Sequence, residues 1–192
     1  EFRRVLFRSF LLSLSVIAMS MLLFTGCKKD DPVIPNEEEV ITTLNYTLIP
    51  SDGGTPVVLS FQDLDGDGGD PPVITGGTLA MNTTYDGSLE LLNETETPPG
   101  DITEEVEEEA LEHQFFFQTS IGGVSFTYED TDTNGNPIGI LTKVTTEGSG
   151  NGTITVILRH EPDKDASGVS NGDITNAGGE TDIEVVFNVE VM

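Results

Sequence analysis

The chain has 192 residues, with 34 Asp and Glu against 8 Lys and Arg and a formal net charge of -26 at pH 7. That balance excludes nucleic acid as a partner, because phosphate binding needs clustered Lys and Arg. It also argues against adhesion of the folded part to an anionic membrane face. The single cysteine excludes a disulfide framework, so stability must come from a packed core, and the length suffices for one ordinary domain.

The first element is an uncharged apolar run from Phe10 to Phe24, followed by Thr25-Gly26-Cys27. The run is shorter than the roughly 20 residues of a membrane span and has the proportions of a signal-peptide core. Its ending resembles a lipoprotein precursor. Cleavage is expected between Gly26 and Cys27, with a diacylglycerol on Cys27 anchoring the protein to a membrane. Glu1 to Ser9 resembles a translated sequencing adapter and is left out of fold reasoning. Residues 1–26 hold three Arg and one Glu, so the expected mature chain is more acidic still.

Residues 27–39 read as an acidic, Pro-containing tether. Lys29, Asp30 and Asp31 resemble the export signal of Bacteroidota surface lipoproteins. They imply an outer-membrane lipoprotein exposed at the cell surface, the alternative being one that faces the periplasm.

Residues 40–192 read as one β-sandwich, antiparallel and Ig-like or jelly-roll-like, with one short acidic helix. Thr42 to Leu48, Val57 to Phe61, Thr84 to Asn93, Val124 to Tyr128, Ile138 to Val144 and Ile154 to Leu158 alternate apolar and polar residues, as half-buried strands do. Asn134-Gly135 marks a hairpin. Ile183 to Val191 has the cleanest alternation and is expected as a central strand. Asp101 and Glu104 read as the start of a helix with its apolar stripe on Ile102, Val106 and Ala110.

Asp63, Asp65, Asp67 and Asp70 alternate with glycines and resemble the opening of a calcium loop, where carboxylates curl around one ion. The alternative is an acidic turn, since Pro71-Pro72 offers no closing Glu. Two further polar stretches repeat the pattern weakly, at Asp130 to Gly135 and Asp163 to Asp173. His113 and His160 are the only histidines, each beside an acid, Glu112 and Glu161. Together they can ligate a metal or haem, or serve the fold alone. No nucleophile elbow, HExxH, P-loop or dinucleotide fingerprint occurs.

Gln62 to Gly68, Leu91 to Glu94, Glu112 to Phe116, Leu158 to Pro162 and Ala177 to Asp182 resemble, in this order, a group of Bacteroidota lipoproteins labelled "type 1 periplasmic binding fold superfamily protein". That label implies two α/β lobes, and this chain shows no βαβ alternation. The expected function is a non-enzymatic, lipid-anchored binding or structural module, calcium being its candidate cofactor. Its ligand class is left open among small molecules, glycans and proteins. The alternative is nutrient capture through haem or metal at His113 and His160.

Overall fold

The computed structural model describes residues 39–66 and 69–192. Of the two units into which the chain divides, Glu1–Glu37 and Glu38–Met192, the second is the one described. It is mainly β, as the alternation predicts. One sheet contains β1 (Thr43–Pro50), β2 (Val57–Gln62), β3 (Val73–Thr75), β5 (Thr84–Asn93), β6 (Gly100–Asp101), β8 (Val124–Tyr128) and β9 (Leu141–Thr146). Its order is β3-β2-β1-β5-β9-β8, with β6 added beside β5. The other contains β4 (Gly77–Leu79), β7 (His113–Thr119), β10 (Gly150–His160) and β11 (Glu180–Val191), in the order β4-β11-β10-β7.

The two sheets face one another across a single core. Leu44, Tyr46 and Leu48 of β1 and Tyr85, Leu89 and Leu91 of β5 meet Phe115, Phe117, Val156, Leu158, Val185 and Phe187 from the other sheet. Tyr46 and Phe117 touch across the layers with ring centroids 5.4 Å apart. Each fully buried side chain of this size contributes about 1.5–3 kcal/mol. The buried Tyr46 hydroxyl is not left alone, since Thr142 Oγ1 lies 2.7 Å away.

Three features differ from the sequence expectation. The pair β4–β11 is parallel, so the sandwich is not wholly antiparallel. A short run crosses from β3 in one sheet to β4 in the other through Gly76, where a Cβ would stand 1.9 Å from the Asn188 carbonyl oxygen. As expected, β11 is an interior strand of its sheet, paired with β10 along its length and with β4 over Val189–Val191. The strand after the Asn134-Gly135 turn starts at Leu141, not Ile138. There the Asp130 carboxylate accepts from the amides of Gly139 and Leu141 at 2.7 and 2.8 Å, in place of ladder bonds.

The polar loop expected from Asp163 to Asp173 continues to Ala177 and covers the outer face of the smaller sheet. Val169 and Ala177 bury Phe116 and Ile157 in a second small cluster. Its apolar residues keep no period, so no pattern announces them. The helix α1 (Ile102–Glu108) is present, capped by Asp101, whose side chain accepts from the Glu104 amide. Ile102 and Val106 are its buried residues, as the stripe predicts. Among the described residues no helix is long and apolar enough to cross a membrane.

Candidate metal centre

His113 opens β7 and His160 closes β10, and the two residues are register partners across the ladder. Strand parity puts them on the same face as Phe115 and Leu158, toward the opposite sheet. The rings meet edge to face with centroids 4.6 Å apart. The sequence leaves open whether they meet; the pairing of β7 with β10 decides it.

The acids that join them are not their chain neighbours. Glu112 and Glu161 are exposed and gather near His160 alone. The two histidines share their site with Glu39 and Asp182, and ligand atoms of these four residues all lie within 4.8 Å of one another. Glu39 Oε1 is 3.0 Å from His113 Nε2, and Glu39 Oε2 is 3.7 Å from His160 Nδ1. Asp182 Oδ2 is 3.8 Å from His113 Nε2, and its Oδ1 is 3.7 Å from His160 Nδ1.

Local structure explains how each arrives. Asp182 is the extra residue of a β-bulge: Leu158 pairs with Ile183 and Arg159 with Thr181. Strict alternation would turn the neighbour of the inward Ile183 outward. The bulge re-aims it, and the Asp182 side chain is 1% exposed. Glu39, the last residue of the stretch read as tether, comes from the segment that leads into β1, in the other layer. Its side chain is 6% exposed. Gly179 lets the chain re-enter β11 beside His160. It has φ of +67°, and a Cβ there would stand 2.1 Å from the His160 carbonyl oxygen.

The second ring nitrogen of His113 is also engaged. Its Nδ1 donates to the Glu109 carbonyl at 3.3 Å, just past the end of α1. A carbonyl can only accept, so Nδ1 carries a proton and Nε2 is the nitrogen turned toward the acids. Metal-binding histidines are held in this way. His113 Nε2 and Glu39 Oε2 are both buried and make no hydrogen bond of good geometry among the described residues.

The spacing suits an ion. Ligands about 2.0–2.1 Å from zinc stand about 3.3–3.4 Å apart in a tetrahedron. The closest nitrogen–oxygen separations, 3.0 to 3.8 Å, fall around that edge, each carboxylate reaching the two imidazoles through different oxygens; taken one atom per residue, the four ligands lie within 4.8 Å of one another. Charge agrees as well, since two carboxylates neutralise one divalent cation between neutral imidazoles. The field around it is negative: Glu105 on α1 is raised above the usual carboxylate range by partial burial, then by the charges of Glu39, Glu109, Glu96 and Asp101. No porphyrin plane fits between rings in edge-to-face contact at this distance.

The other candidates are placed differently. Cys27, Lys29, Asp30, Asp31 and Asp67 lie outside the described residues. Asp63 Oδ1 accepts from the Gly66 amide at 2.9 Å, and Asp65 Oδ2 accepts from the Asp70 amide at 2.8 Å. The described part of that loop is a self-bonded turn at the surface. Asp132 is occupied by Lys164 at 3.0 Å, an ion pair buried between two loops. Sequence reading finds both histidines of the centre and misses both acids. Asp182 carries one signal, an acid interrupting the start of a clean strand; Glu39 carries none, being one of three consecutive Glu.

No protein-family model matches the chain, and no curated protein matches it. Among solved structures it resembles "Crystal structure of the S-layer protein SbsC domains 4 and 5", at 13% identity over 85% of this chain and 87% of that one, with a TM-score of 0.30. A likeness of that size says nothing about function.

Proposed function

We propose that the chain is an exported, lipid-anchored surface module without enzymatic activity that holds one divalent transition metal between its sheets. The observation that carries the metal reading is the buried convergence of Glu39, His113, His160 and Asp182 from four separate segments. The donor set favours zinc or a similar borderline ion over calcium, which takes six to eight oxygens and has little use for imidazole. A closed set of four protein ligands suits an ion that is retained for structure. The anchoring half of the proposal is supported by the sequence ending at Cys27 and by Lys29-Asp30-Asp31.

The test is metal content and thermal stability of protein stripped with a chelator and then titrated with zinc. One zinc per chain is expected. A hundredfold excess over Kd stabilises the native state by about 2.7 kcal/mol. His113→Ala and Asp182→Asn should each remove most of the stabilisation. If wild-type protein melts at the same temperature with chelator as with zinc, the centre is a proton-bearing cluster and the metal reading fails.

A further inference from the structure

We infer that the metal fastens the N-terminal segment Glu39–Thr42 to the sandwich, so that the ion works as a removable clasp where the chain enters the domain. The inference rests on the reading of the centre as a metal site. Its basis is that the four ligands are not held equally. His113, His160 and Asp182 stand on β7, β10 and β11, neighbouring strands joined by ladder hydrogen bonds. The ladder places the backbone of those strands independently of any ion.

Glu39 stands on no strand. Val40 after it is 55% exposed, and Ile41 is only partly buried against the core. Among the described residues, the first bonds that tie this segment to the sheet are at Thr42, whose amide and hydroxyl each donate to the Leu92 carbonyl at 3.0 Å. Ahead of Thr42, the attachment depends on Ile41 packing and on the Glu39 carboxylate. Without a cation that carboxylate shares a dry space with Asp182 and feels the acids of α1. Like charges in a poorly solvated site repel strongly. Glu39 is the member able to leave for water. With the ion bound, the same carboxylate bridges to three strands of the opposite sheet. Any pull arriving along the chain from Cys27 then meets both layers at Glu39 instead of β1 alone.

Hydrogen exchange of the full chain, chelator-stripped and zinc-reloaded, tests this together with bound zinc per chain. Zinc should slow exchange across Glu39–Leu48 by about tenfold or more, with a smaller change across Ile183–Val191. Glu39→Gln keeps three ligands. It should weaken zinc binding at least about tenfold, and at saturating zinc it should leave Glu39–Leu48 exchanging as in stripped protein. Asp182→Asn should also weaken binding, yet recover protection of Glu39–Leu48 once saturated. One zinc per chain with unchanged exchange over Glu39–Leu48 overturns the clasp and leaves the metal centre standing. Protection persisting in zinc-saturated Glu39→Gln also overturns the clasp. Absence of bound zinc in the wild type overturns both.

Discussion

Lys164 shows how much a single side chain can decide in a chain with so few cations. Its side chain is 5% exposed. Its ammonium donates to the carbonyls of Ala110 and Pro137 at 2.6 and 3.0 Å and to Asp132 Oδ2 at 3.0 Å. Three donors thus find three acceptors, and the end of the helical segment, the hairpin and the 162–179 cover are joined at one nitrogen. Burial works against both charges, and it draws Lys164 below the ordinary lysine value. Asp132 is nonetheless held below the usual carboxylate range, because Lys164 and the amides of Asn136 and Asn134 outweigh its burial. Removing one partner of a buried pair strands the other charge and costs about 3–5 kcal/mol. Lys164→Met should show that loss in chemical denaturation. The pH sign follows from the lowered Asp132 value. Its stabilisation is present above the unfolded carboxylate value, about 4, and disappears as pH falls through the folded one. Acid unfolding of Lys164→Met should therefore begin at higher pH than in wild type. Matching acid midpoints would show that the pair contributes nothing.

At the scale of elements, β11 carries two duties along one strand. From Ile183 to Val191 it alternates strictly, and Ile183, Val185, Phe187, Val189 and Val191 line the core. At its start the bulge breaks that alternation and turns Asp182 toward the histidines. Phe187 is fully buried. Phe187→Asp removes an aromatic worth about 3–5 kcal/mol to the core and buries a charge in its place. Loss of the folded state is expected, read from far-UV circular dichroism and solubility. A soluble variant with wild-type melting would show that β11 does not hold the core together. The helix α1 works as a support: two apolar residues dock it, and the carbonyl of Glu109 beyond its end fixes the His113 ring.

For the molecule as a whole, the proposal joins a lipid at Cys27 to a domain that begins near Glu39. Each acyl chain contributes about 0.8 kcal/mol per buried CH₂, and more than one chain is needed for firm anchoring. Cys27→Ala should shift the protein from membrane to soluble fractions. Alanine at Lys29, Asp30 and Asp31 should leave lipidation intact and abolish digestion by protease added to whole cells. Unchanged digestion would mean that these residues carry no export signal.

The sequence by itself determined the β class, most strand positions and the capped helix at Asp101. It could do so because these depend on local quantities: alternation with period two, turn chemistry and helix capping. It also singled out His113 and His160, since two histidines in so acidic a chain are conspicuous. Tertiary structure alone decided that they meet. Their contact comes from the register of β7 on β10, between residues 47 positions apart in the chain. It also chose their partners. The adjacent Glu112 and Glu161 face solvent, while Glu39 and Asp182 enter the site through packing of one sheet on the other and through a one-residue bulge. The same reason hid Lys164 and the cover over Phe116. Burial there is conferred by segments distant in sequence, and a polar loop gives no periodic sign of what it will cover.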